Sequence, residues 1–531
     1  MKHFAVSPRG DVLWWLKSDN SEEGRWYEQQ VDGGAARLLD QVPATRSDGG
    51  VFVTEAGGIL GIARDNKTEI YCVRDGEARV LGTYPPMAQA SSVSADGRYV
   101  AVSHSAPGET ALSKEVDVLD TETGERVMWL PAMRPAMFRW TEFPREPGDC
   151  RLLHQTEVDG NIGLAIRDIR HPDAEERVVD TRNDAFRDAD LEGLWLPGGQ
   201  ELLVTADRDG RTLVYRYDLT TRAVAPALPL GDELSVERVA RSGTLGLRPA
   251  LAVRPDGRIL AQVSGPQVAT HFVDDHRRGR GADRGRTESS MTRHLRVPRA
   301  KGGPPEIPVL VSEPPGPRPD GGHPVVFLTK GGPVMHDTMV HNPLVQALVE
   351  QGLAVVQVQY RGSTGNGLAW IEAMTADPVI GQVADLQAVH RHLAEDGVVD
   401  PERLVVLGRS WSGGMALHAA ATIPGVRGVG AFFPVAKNAG VEVAMDQEIV
   451  RFAATALGVR QPSSHALAPL PGVHAAQAAR GFGALRKPAD LGTSPNADEL
   501  RLPASIGGQC PAATVRSSDE KGLDKAQAVD L

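Results

Sequence analysis

The sequence predicts two fold classes joined end to end. An N-terminal all-β propeller of six or seven blades covers residues 1–285, and an α/β domain with a mainly parallel sheet covers residues 303–440. Three observations carry this expectation. A hairpin unit with a Pro-Asp-Gly-like turn recurs through the first half. After residue 300 the pattern switches to near-continuous apolar strands alternating with helix-period segments. Within that second pattern Ser410 stands on a sharp turn between a strand and a helix. At 531 residues the chain is also too long for one ordinary core.

The repeat is clearest at Phe4–Trp15, Ser92–Val102, Leu194–Val204 and Ala252–Ala261, with weaker copies at Thr54–Leu60 and Arg145–Leu153. Each is an apolar stretch, a small turn and a second apolar stretch. The glycine of the turn supplies the positive φ that a tight hairpin requires. The turns recur at roughly 40–55 residue intervals. Between them lie further hairpins, at Glu69–Val80, Val116–Val127 and Leu213–Val224. Two hairpins per period make a four-stranded blade of the WD40/TolB-like kind, and a degraded seventh unit is expected near residues 262–290. An irregular β-sandwich is the alternative architecture. Residues 286–302, at the end of a charged, Gly-rich run without periodicity, are expected to be a linker.

In the second half, Pro324–Thr329, Leu353–Tyr360 and Arg403–Gly408 are apolar runs of strand length. Helical spacing follows at Asn342–Gln351, at Gly381–Asp396 with Val383, Leu386, Val389 and Leu393 on one face, and at Gly414–Ala421. Strands this apolar imply a sheet covered on both faces. The segment Gly408-Arg-Ser-Trp-Ser412 then places Ser410 as in the nucleophile elbow of an α/β-hydrolase. A strained turn of that kind needs small residues two positions either side, and Gly408 and Ser412 meet the need. The usual last position is Gly, so Ser412 is a departure. The Trp411 backbone N–H would face an oxyanion hole.

Several blocks in order resemble the prolyl oligopeptidase family of serine peptidases, in particular its acylaminoacyl-peptidase and dipeptidyl-peptidase-like members. They are Gly331-Gly-Pro333, Tyr360-Arg-Gly-Ser-Thr-Gly-Asn-Gly367, Trp370, Asp385, Val399–Leu404 and Gly408-Arg-Ser-Trp411, all within residues 324–434. The resemblance implies a propeller coupled to a hydrolase, Ser410 as nucleophile, and the Gly331-Gly332 loop with Trp411 as oxyanion donors. Lys330 stands where the family usually has His. Arg361 and Asp385 are expected to form a structural pair. The family's triad Asp and His have no recognisable counterpart, so both partners of Ser410 are unknown. His465 and His474 are the last histidines, and Asp446, Asp490 and Asp498 lack supporting context. Residues 441–531 form an atypical tail, rich in Ala, Pro, Gly and Ser and expected to be poorly ordered. A replaced reading frame or divergence would each account for it.

The expected function is hydrolysis of short peptides through an acyl-enzyme on Ser410, with the propeller restricting access and turnover impaired by the missing pair. An esterase on the same fold, or an inactive propeller-based binding protein, are the alternatives. The net charge of −11 argues against nucleic-acid partners. No apolar run has membrane length and no signal peptide is legible. Three scattered cysteines, Cys72, Cys150 and Cys510, suggest neither a disulfide framework nor zinc and point to a cytoplasmic setting. No metal or other cofactor is expected, and the oligomeric state is not indicated.

Overall fold

The computed structural model describes residues 3–432 except 19–22, 46, 56, 107–108, 110–112, 134–135, 137–138, 241–246, 276–290, 299–305, 333 and 375–377; beyond these it describes 449 and 452–458. Six antiparallel sheets of four strands follow one another along residues 4–274, which fits a propeller. Each predicted first hairpin lies where the repeat placed it. At the Pro-Arg-Gly, Ala-Asp-Gly and Pro-Asp-Gly turns, Gly10, Gly97 and Gly257 have φ of 76°, 72° and 80°. Alternating strand residues fill the spaces between consecutive sheets. Trp14, Trp26, Val51 and Leu60 join the first two sheets. Leu153, Leu164, Leu191 and Val204 join the fourth and fifth, and Leu203, Val214, Ile259 and Val263 the fifth and sixth.

The sixth sheet corrects one expectation. Its strands Ile259–Gly265 and Val268–Asp274 occupy most of the described part of the segment where a seventh unit was expected. Its innermost position is split between Ser235–Val236 and Leu251–Val253, both paired to Ile259–Gly265. Between the halves stands an inserted hairpin, Arg238–Ala240 with Leu247–Pro249.

The second domain is a six-stranded mixed sheet. From edge to edge it runs Met291–Val297, Ile307–Glu313, Ala354–Val358, His323–Thr329, Val399–Arg409 and Val426–Phe432. The last four are mutually parallel. Its first strand begins inside the expected linker 286–302: Met291–Val297 pairs along its length with Ile307–Glu313. Helices cover both faces, as the Val-rich strands require. On one side Trp370, Leu386, Val389 and Met415 pack on Phe327 and Val356. On the other, Val345 and Leu348 of the helix Pro343–Glu350 pack on Val326, Val355 and Leu407. Ile449, Ala453 and Leu457 join that second core, and Arg403 donates from Nε to the Leu457 carbonyl at 3.0 Å. This stretch of the expected tail therefore belongs to the core of the second domain. No helix among the described residues is long and apolar enough to cross a membrane.

Candidate active site

The strand Val399–Arg409 ends one residue before Ser410, and the helix Trp411–Thr422 begins one residue after it. The helix thus starts earlier than the predicted Gly414. Ser410 has φ 55° and ψ −121°, a conformation that non-glycine residues avoid at about 1–3 kcal/mol. Close approach of the turn to itself holds it there. A Cβ on Gly408 would lie 2.0 Å from the Ser412 carbonyl oxygen, so only glycine fits. Gly413 N–H donates to the Ser410 carbonyl at 2.9 Å.

Ser412 does more than stay small. Its buried hydroxyl accepts from the Arg409 N–H at 2.8 Å, and its proton faces the Thr329 carbonyl at 2.9 Å and the Arg409 carbonyl at 3.0 Å. The serine that departs from the usual elbow pattern therefore ties the elbow to the neighbouring strand.

That strand leads into the Lys330–Gly332 loop. A Cβ on Gly331 would meet the Arg409 carbonyl oxygen at 2.8 Å and the Ser410 Cβ at 3.3 Å. The Gly331 backbone thus lies directly against the candidate nucleophile. Gly332 has φ 70°. The Tyr360 hydroxyl reaches the carbonyls of Lys330, at 2.8 Å, and Gly332, at 3.4 Å, from the other side.

Lys330 points away from the elbow strand. Its ammonium donates to the Val358 carbonyl at 3.1 Å and sits 4.0 Å from the Tyr360 ring centroid. Burial pushes its pKa down to about 8, partly offset by Asp337 at 3.8 Å. The same burial raises the Asp337 carboxyl. Lys330 is a prop under the glycine loop, on the side remote from Ser410.

Arg361 and Asp385 form the expected pair. The guanidinium donates from Nε at 3.0 Å and from Nη2 at 2.7 Å, and the Arg361 N–H adds a third bond at 2.9 Å. Gln382 links this pair to the elbow: its amide donates to the Arg361 carbonyl at 3.0 Å, and its oxygen accepts from the Trp411 indole at 2.9 Å. Sequence reasoning passed over Gln382. The available signal was a polar residue one turn before Leu386 on the buried face of its helix.

Among the described residues, no histidine is hydrogen-bonded to the Ser410 hydroxyl. His336, beyond the glycine loop, directs Nδ1 at the Thr364 hydroxyl at 2.8 Å and Nε2 toward Asp207 at 3.8 Å. Asp446, Asp490, Asp498, His465 and His474 lie outside the described residues.

Residues 341–426 match the prolyl oligopeptidase family. That span includes the Tyr360–Gly367 block, Asp385 and Ser410. Among solved structures the chain is similar to an acylaminoacyl peptidase from Pyrococcus horikoshii, at 13% identity and a TM-score of 0.52, over 80% of this chain and 68% of that one. It is also similar to a puromycin-hydrolysing peptidase from Mycobacterium tuberculosis, at 17% identity and a TM-score of 0.51, over 80% of this chain and 75% of that one. At these identities the likeness is one of fold.

Proposed function

We propose, from the premise that residues 341–426 form a prolyl oligopeptidase family domain, that this chain is a serine-type peptidase of short peptides with Ser410 as its nucleophile. The observation that carries the reading is the strained Ser410 turn, with φ 55°, abutting the Gly331 backbone. In this reading the Ser410 hydroxyl attacks the scissile carbonyl and gives up its proton to a base. The oxyanion that forms is met by the Trp411 N–H, at the start of its helix, and by an N–H of the Gly331-Gly332 loop. Collapse expels the amine with that proton and leaves an ester on Ser410, which water then hydrolyses.

The base is not identified; after residue 432 the sequence offers His465 and His474. Without a base in reach, turnover falls by about 10⁴–10⁶ and only oxyanion and binding effects remain. In this reading the propeller restricts access, a role supported by the turn carbonyls of Gly160 and Gly210, which accept from the Leu368 and Met339 N–H groups of the other domain.

The test is hydrolysis of a peptide amide and of a matched ester by the full chain, Ser410→Ala, His465→Ala and His474→Ala. Loss of peptide hydrolysis on Ser410→Ala supports the reading, and a parallel loss with one histidine identifies the base. Undiminished hydrolysis in Ser410→Ala overturns it. Activity confined to the ester moves the chain to the esterases.

A further inference from the structure

The two domains meet along a few specific bonds. The turn after each second strand in sheets four to six reaches the hydrolase. Gly160 accepts from the Leu368 N–H at 2.8 Å, Gly210 from the Met339 N–H at 2.6 Å, and Pro266 from the Gln346 side chain at 2.6 Å. Met133 and Ile162 of the propeller pack with Val334, Leu368 and Ile371 of the hydrolase. One propeller side chain goes further. Asp190 opens the first strand of the fifth sheet and is 4% exposed. Its Oδ1 accepts from the Ile162 N–H at 3.0 Å, in the fourth sheet. Its Oδ2 accepts from the Gly365 N–H at 2.5 Å, in the hydrolase.

Gly365 belongs to the Tyr360–Gly367 block. Its Cα side faces the His336 ring, where a Cβ would lie 3.4 Å from Cγ. His336 in turn bonds Thr364 and faces Asp207 of the fifth sheet. Asp207 is itself held by Thr212 at 2.5 Å and by Arg238 at 2.8 Å. One carboxylate of this propeller sheet, Asp190, therefore bonds the 361–367 loop directly, and a second, Asp207, lies 3.8 Å from His336 of the loop that follows Gly332.

We propose that Asp190 is a positioning residue, a propeller carboxylate that fixes the 361–367 loop, and through His336 the loop that follows Gly332, in the place the active site requires. Burying a carboxylate is unfavourable unless it is specifically bonded, and this one is bonded where the fourth sheet, the fifth sheet and the 361–367 loop meet. Burial, only partly offset by the Ile162 and Gly365 N–H groups, raises it to about 6; Asp207 adds to the rise and His336 opposes it. Arg238 also faces it, and gains from its charge. The grip itself stands on the bonds observed. Only the naming of these loops as the rim of an active site rests on the peptidase reading.

The experiment is hydrogen exchange of the full chain by mass spectrometry, read on peptides covering 361–368, with Asp190→Asn and Thr364→Val. The Asp190→Asn amide keeps an oxygen for Ile162 and sets an NH₂ against the Gly365 N–H. Its expected result is at least ~10-fold faster exchange in 361–368, with 404–409 of the elbow strand as protected as before. Thr364→Val leaves the propeller core untouched and releases only His336, so a smaller acceleration in the same peptide is expected. Labelling of Ser410 by a fluorophosphonate is expected to slow in parallel. Unchanged exchange at 361–368 in both variants overturns the proposal. Faster exchange in a chain whose Ser410 never labels sustains the grip while removing the peptidase reading.

Discussion

The hydrolase sheet and the fifth propeller sheet are both buried, and they bury different things. The central hydrolase strands carry Val325, Val326, Phe327, Val405, Val406 and Leu407, all within 1% exposure. The fifth propeller sheet buries Asp190 and Asp207 and half-buries Glu192, and these lie among Arg238, Arg248 and His336. Burial alone raises the Glu192 and Asp207 carboxyls, but Arg238 with Arg248 for Glu192, and with His336 for Asp207, more than offset it, so both end below the ordinary range. The hydrolase side is thus constrained by shape, where glycines admit close approach. The propeller side is constrained by charge, and two of its carboxylates, Asp190 and Asp207, stand beside Gly365 and His336 of the other domain.

The largest expected stability effect tests the charged side. Glu192 is shared by Arg238 and Arg248, the latter bonded at 2.7 Å and lying 5.1 Å from the Trp140 ring centroid. Glu192→Gln leaves the buried Arg248 and the half-buried Arg238 short of a counter-charge, at about 3–4 kcal/mol. Denaturant unfolding measures it, and a loss under ~1 kcal/mol would place this cluster with ordinary surface pairs. On the shape-limited side, Gly408→Ala drives a methyl into the Ser412 carbonyl. A loss of about 3 kcal/mol is expected, together with loss of Ser410 reactivity.

A pH series separates the two aspartates. The folded-state pKa of Asp190 is raised to about 6. The folded chain therefore keeps a proton that the unfolded chain has released between about pH 4 and 6, and this group's contribution to stability falls as pH rises through that window. Asp207, lowered by its partners, contributes in the opposite sense, and that contribution is lost only as pH falls below about 4. Wild type is expected to lose about 2 kcal/mol relative to Asp190→Asn across that window. Parallel pH curves would contradict the buried, bonded carboxylate. The smallest effect belongs to Ser412→Gly, which restores the usual elbow pattern. Losing the bonds to Arg409 and Thr329 is expected to destabilise by about 1 kcal/mol; a stabilised variant would mean that Ser412 only fills space.

Much of this was legible in the sequence, for reasons that differ by region. Glycine-containing turns at Gly10, Gly97 and Gly257 are local signals, so the first hairpins could be placed from residue types alone. The hydrolase strands announced themselves by continuous apolarity, and the elbow by Gly408 and Ser410. The strand Met291–Val297 was hidden, because an edge strand reading Met-Thr-Arg-His-Leu-Arg-Val has neither a buried run nor a clean alternation. The hairpin inserted after Val236 was hidden too, since it interrupts one strand of a sheet without altering the repeat period. Asp190 and Gln382 were passed over for another reason. Their partners, Gly365 and Trp411, are distant in sequence, and a polar residue in an apolar pattern does not say what it bonds.

The central claim is that the fold presents Ser410 as a nucleophile. It is tested most directly by fluorophosphonate labelling of the full chain, resolved by residue with mass spectrometry and compared with the same chain in urea and with Ser410→Ala. The expected result is an adduct on Ser410 that forms faster than on any other serine, is lost in urea and is absent from Ser410→Ala, at a slow absolute rate if neither His465 nor His474 reaches it. Ser410 left unlabelled in the native chain, or labelled no faster than in urea, would contradict the account.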